Sequence, residues 1–155
     1  MSFILSVHEY FKKNDLTLSV AESCTGGLIC NYITSLPGAS IFFKAGFVAY
    51  SVEAKKNILG VSLETISKFG VVSEEIAREM AERIRTLTNT DFSLSTTGNM
   101  GPEALEGKEK GLLYTAVSKH GGIFSRHLKL TGTREENKKK ASLLALRFLV
   151  ETIET

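Results

Sequence analysis

A chain of 155 residues with a net charge of +2, 43% hydrophobic and 23% charged, has the length of one domain with a real core. That composition fits neither a disordered nor a membrane class, and no apolar run approaches the ~18 residues a membrane span needs. The basic residues are dispersed. Their one dense group, Lys138-Lys139-Lys140, reads as the solvated face of a helix, so no nucleic-acid partner is expected.

Along the chain, residues 3–12 place Phe3, Ile4, Val7 and Phe11 on one helical face, and Lys12-Lys13-Asn14 supplies a stop. A short strand is predicted at 16–20, where Leu16, Leu18 and Val20 alternate. Ser23-Cys24-Thr25-Gly26-Gly27 then leads into a helix through about Ser35, before Pro37-Gly38. Residues 42–50 are β-rich. Ser51 can cap a short helix that Gly60 ends, and another turn of helix is expected at 62–68. After Ser73, a helix buries Ile76, Met80, Ala81, Ile84 and Leu87, with Glu74 and Glu75 suited to its amino end. Strands are predicted at 91–97, 111–118 and 123–130, the last two forming a hairpin through Lys119-His120-Gly121-Gly122. The closing helix starts at Thr133, with Glu136 completing a capping box, and buries Ala141, Leu144, Ala145, Phe148 and Leu149.

This order predicts one domain over residues 1–155, an α/β fold: a three-layer α/β/α sandwich. Its sheet should have about five strands, mostly parallel, with one antiparallel member from the hairpin. The amino terminus carries Glu9 early and lacks a charged start and a cleavage site, so no secretory signal and a cytoplasmic location are expected. Cys24 and Cys30, and His8, His120 and His127, show no ligand spacing. Neither a metal site nor a disulfide framework is indicated.

Ligand sites of open α/β sheets lie where strand carboxyl ends meet helix amino ends. Three polar junctions qualify: 22–27, 97–102 and 131–134. In the first, a sharp strand-to-helix turn would set Ser23 near free backbone N–H groups able to hold an oxyanion or a phosphate. Ser23 or Thr25 could equally serve as a helix cap. A serine nucleophile needs a base. Lys55, just past Tyr50-Ser51, can be one only if burial favours its neutral form; otherwise it is a solvated helix lysine. Tyr50 could donate a hydrogen bond near the reacting centre or pack at a strand end. Arg134, in the first turn of a helix whose dipole disfavours cations there, suits a bound phosphate, or else pairs with Glu135 or Glu136 on the surface.

The segment Ala21-Glu22-Ser23-Cys24-Thr25-Gly26-Gly27 is similar to the signature of the CinA carboxy-terminal domain family, the nicotinamide mononucleotide amidohydrolases. So are Pro37-Gly38-Ala39-Ser40, Val48-Ala49-Tyr50-Ser51 with Glu53-Ala54-Lys55, and Gly70-Val71-Val72-Ser73-Glu74-Glu75. Thr97-Gly98, Gly101-Pro102 and Gly132 with Arg134 complete the match. The resemblance runs from about residue 15 to the end and suggests the stand-alone form. It implies a five-stranded mixed sheet and hydrolysis of nicotinamide mononucleotide to nicotinate mononucleotide and ammonia, without metal or cofactor, by a self-associating protein, commonly a dimer. It further implies Ser23 as nucleophile and Lys55 as base, Tyr50 and Thr97 at the reacting centre, and Arg134 on the phosphate. Cys24, Thr25, Gly26, Gly27, Gly98 and Gly101 would complete the substrate site. Three positions depart from the pattern: Glu103-Ala104-Leu105-Glu106 replaces a run of glycines, Thr133 an aspartate and Val52 an asparagine. The first would narrow a ligand-facing loop and set two acids near a phosphate. That motivates an alternative: a paralogue without amidase activity that binds a nucleotide or acts as a competence-related accessory.

Overall fold

Side-chain oxygens start four of the helices. Ser51, Ser62, Ser73 and Thr133 accept from the amides of Ala54, Thr65, Ile76 and Glu136, respectively. At Thr133 the Glu136 side chain accepts in return, which closes a capping box. The computed structural model describes residues 2–154 except Leu105, and of Ser2 only the backbone. In chain order the elements are α1 (Ser2–Lys13), β1 (Leu18–Glu22), α2 (Leu28–Thr34), a 3-10 turn (Ala39–Ile41), β2 (Phe43–Val48) and α3 (Val52–Asn57). They continue with α4 (Leu63–Phe69), α5 (Glu74–Thr88), β3 (Phe92–Gly98), β4 (Leu112–Lys119), β5 (Gly122–Lys129) and α6 (Arg134–Ile153).

The five strands form one sheet in the order β2-β1-β3-β4-β5. β1 runs parallel to β2 and β3, whereas β4 is antiparallel to both β3 and β5. One strand therefore opposes the other four, as the hairpin requires. The largest buried cluster joins α1, α2 and α6 to one face of the sheet through Val7, Phe11, Ile29, Leu94 and Leu149. On the other face, Ile76, Met80 and Ile84 of α5 pack with Ala21 and Leu59. The result is the expected α/β/α sandwich.

β1 is buried at all five positions, although only Leu18 and Val20 alternate as apolar residues. A central strand is covered on both faces, so its small polar residues need partners. Ser19 finds Thr90 at 2.9 Å. In β3, Ser93 and Ser95 donate to the α5 carbonyls of Ala81 and Ala77, which seats the helix close to the sheet. Leu87 does not follow expectation. It continues the apolar stripe of α5 but lies in the last turn and is 52% exposed. A periodic stripe reports the inward side of a helix, not how far the neighbouring layer extends beneath it.

Candidate functional site

β1 sits at the centre of the parallel set, and the chain leaves it for β2 on one side before crossing to β3 on the other. That reversal opens a crevice at the strands' carboxyl ends, the usual ligand position in such sheets. Glu22 lies opposite Val48, and Ala21 opposite Ser95. The next residues along the three strands, Ser23, Ala49 and Thr97, consequently reach the crevice at the same level. The Ser23 amide donates to Thr96 O at 3.1 Å, and the Ala49 amide to Glu22 O at 2.8 Å.

Lys55 projects from α3 into this crevice and is only 2% exposed. Its Nζ lies 2.9 Å from Ser23 Oγ, 2.9 Å from Ala49 O and 3.3 Å from Tyr50 O. Burial pulls the Lys55 pKa below the ordinary lysine value, against a smaller opposing field from Glu106. A neutral amine has two hydrogens and one lone pair. As an ammonium, Nζ donates to Ser23 Oγ as well as to the carbonyls; in the neutral form the two carbonyls can accept both hydrogens, which leaves the lone pair for the serine hydroxyl. The reading of Lys55 as a solvated helix lysine is overturned.

The cavity around this pair has a volume of about 130 Å³ and is lined by Ser23, Lys55, Tyr50, Thr97, Asn99 and Arg134, among others. It is well below the ~300–1,000 Å³ of pockets that engulf a drug-sized ligand. Cys24, beside the serine, is buried, and burial pushes its thiol up to about 12. It stays an uncharged thiol, which leaves the Ser23 hydroxyl as the group of this turn in contact with Lys55. At Gly98 an added Cβ would lie 2.3 Å from Leu112 O and 3.3 Å from Cys24 Sγ, so only glycine fits there.

Neither Ser23 nor Thr25 caps α2. The buried Glu22 side chain does so by accepting from the amides of Gly27 and Ile29 at 3.1 Å and of Cys30 at 2.9 Å, and from Thr25 Oγ1 at 2.5 Å. Thr25, Gly26 and Gly27, expected at the ligand, thus do not line the cavity. Thr25 bonds Glu22 and Thr96, while Gly27 takes the left-handed conformation that starts the helix. The amides of the two glycines are already paired: Gly26 N donates to Ser23 O and Gly27 N to the Glu22 carboxylate. Among the described residues, the amides of Cys24 and Thr25 are those in the turn without an acceptor. Each buried donor left unpaired costs about 1–3 kcal/mol. Glu22→Ala should therefore lose roughly 3 kcal/mol or more, lowering the thermal midpoint by about 6 °C or more. Glu22→Gln, which keeps one acceptor oxygen, should fall between the two in a melting experiment.

Arg134 pairs with neither Glu135 nor Glu136. Its guanidinium donates to Tyr50 Oη at 2.8 Å and to Gly101 O at 2.5 Å, which ties α6 to the mouth of the cavity. Gly101 reaches the site through this carbonyl, and Tyr50, 58% exposed, forms the outer rim. Thr97 Oγ1 donates to Val71 O at 2.6 Å and so secures the 70–72 segment against β3.

Two residues to which the sequence assigned no supporting role, Asn137 and Glu106, hold these loops in place. Buried Asn137 donates to Met100 O and Gly132 O and accepts from the Gly132 amide, joining two of the three junctions. Glu106 accepts from the amides of Val71 and Val72 at 3.0 and 3.1 Å. That acid, expected to crowd a ligand, instead braces the cavity wall. Lys108 adds bonds to Phe69 O and Val72 O. Hydrogen-bonding capacity at a helix start was the available signal for Asn137, whereas nothing local marks Glu106.

A family model described as the CinA C-terminal domain matches residues 2–153. The chain belongs to the CinA C-terminal domain family. Its relatives include a putative competence-damage inducible protein of Thermoanaerobacter pseudethanolicus, 47% identical over 141 residues, which are 90% of this chain and 34% of that protein. A CinA-like protein of Fervidobacterium nodosum is 46% identical over 144 residues, 92% of this chain and 35% of its own. The CinA domain described here thus spans about a third of the length of the curated relatives it matches. Among solved structures, competence damage-inducible protein A of Klebsiella pneumoniae superposes with a TM-score of 0.96 at 30% identity, covering 99% of this chain and 96% of that one. A CinA superfamily protein of Enterobacter cloacae gives 0.94 at 32% identity, with 97% and 89% covered. No helix of this CinA domain, among the described residues, is long and apolar enough to cross a membrane.

Proposed function

We propose that the chain is a serine amidohydrolase that converts nicotinamide mononucleotide and water to nicotinate mononucleotide and ammonia. The observation that carries this reading is the buried Lys55 Nζ at 2.9 Å from Ser23 Oγ, with two carbonyls occupying its other directions. Family resemblance supplies the substrate.

In the first half-reaction Ser23 Oγ bonds to the carboxamide carbon as Lys55 takes the hydroxyl proton. The resulting oxyanion would be met by the unpaired amides of Cys24 and Thr25. Lys55 then passes the proton to the leaving nitrogen, the C–N bond breaks, and ammonia departs from an acyl-serine. Water attacks that ester and gives a proton to Lys55. The ester C–O bond breaks, and Ser23 recovers its hydrogen as nicotinate mononucleotide leaves. Arg134 at the rim is suited to the phosphate.

The direct test is ammonia release from nicotinamide mononucleotide by the purified protein in the presence of a chelator. Steady turnover is expected. Binding that raises the melting temperature without any ammonia would instead favour the non-hydrolytic paralogue.

A further inference from the structure

Lys138 departs from the solvated-face reading of the Lys138-Lys139-Lys140 run. Lys139 and Lys140 are exposed, and Lys139 pairs with Glu135 at 3.7 Å. Lys138 is half-buried, and its ammonium rests against the turn that follows Ser23: a Cβ built on Gly26 would lie 3.3 Å from Nζ. The Gly26 amide donates to Ser23 O at 3.0 Å, so this contact is one tight turn from the reacting hydroxyl. Among the described residues, no carboxylate pairs with Lys138. Glu135 is taken by Lys139, and Glu136 by the Thr133 amide. One helical turn earlier on the same face, about 6 Å along the axis, stands Arg134. Two like charges at this spacing cost a few tenths of a kcal/mol in an isolated helix, and an anion between them would reverse the sign.

We infer that Lys138 is a specificity-determining residue that, with Arg134, holds the phosphomonoester dianion of a mononucleotide outside the Ser23 cavity. The glycine at 26 suits this arrangement: its backbone is left-handed, and a Cβ there would press on the ammonium by a few tenths of an ångström. The rim tyrosine orients Arg134, and the two cations select substrates that carry a phosphate over those that do not. The inference rests on the amidohydrolase reading only for its kinetic readout, since binding can be measured without turnover.

The test compares wild type, Lys138→Gln, Lys138→Arg and the exposed control Lys140→Gln on nicotinamide mononucleotide and on the uncharged nicotinamide riboside. Loss of one charge-assisted contact should raise KM for the mononucleotide about 10- to 100-fold in Lys138→Gln and lower kcat much less. The preference for mononucleotide over riboside should shrink by the same factor, with Lys138→Arg restoring most of it and Lys140→Gln behaving as wild type. Inorganic phosphate should compete in wild type and bind at least tenfold more weakly in Lys138→Gln. If wild type shows no turnover, the proposed function fails, and calorimetric Kd values for the mononucleotide and phosphate still decide the role of Lys138. An unchanged KM, Kd and substrate preference in Lys138→Gln would overturn the inference.

Discussion

Ser23→Ala is expected to reduce ammonia release from nicotinamide mononucleotide by roughly 10⁴-fold or more, because it removes the atom that carries the acyl group. The fold should tolerate the change. Ser23 Oγ has Lys55 Nζ as its side-chain partner, while the Ser23 amide and carbonyl remain in the turn through Thr96 and Gly26. The melting temperature should thus stay near that of wild type, and calorimetry should still detect mononucleotide binding. Retention of more than a tenth of wild-type turnover would remove Ser23 as nucleophile and point to direct attack by water.

The second large effect concerns the base. Lys55→Gln, which is uncharged, one atom shorter and not basic, should cost about 10²–10⁴-fold in kcat. Lys55→Arg separates charge from proton acceptance: a guanidinium stays charged and has no lone pair to offer, so this variant should be as inactive as the glutamine one. The sign of the pH effect follows from burial. The neutral amine is the competent form, and its pKa is depressed because the ammonium is poorly solvated. The rate of wild type should accordingly fall as pH drops through the lowered Lys55 pKa and level off above it. The plateau should begin below the range in which an ordinary lysine loses its proton. A stopped assay across neutral to alkaline pH reads this limb, which should vanish from the residual activity of Lys55→Gln. A flat wild-type profile, or one that declines with rising pH, would contradict a lysine base.

Much of this architecture was readable in the chain itself. Alternation, capping chemistry and glycine turns located every helix and strand to within a few residues. The capping box at Thr133 was predicted and formed atom for atom. Two features escaped. Leu87 was assigned inward because a stripe carries no information about the end of the layer it packs on. The start of α2 was left open between a hydroxyl cap and amides free for a ligand, whereas Glu22, a strand residue three positions before Thr25, satisfies the helix amides from within the core. An acid in a strand looks like a solvent-facing residue until the strand proves to be covered on both sides.

The candidate site divides in the same way. Local sequence marked the three junctions, since the polar, glycine-bearing ends of strands are properties of neighbouring residues. Whether Lys55 was a base or a surface lysine, and whether Arg134 faced a glutamate or a cavity, were questions of long-range geometry. Parallel register brings positions 23, 49 and 97 level at one sheet edge, and α3 then buries its lysine among carbonyls that no local pattern could specify. Periodicity and turn chemistry act over a few residues and are therefore written along the chain. Desolvation of an amine, and the partner its lone pair meets, depend on atoms 32 residues apart, and only the packed sandwich brings them together.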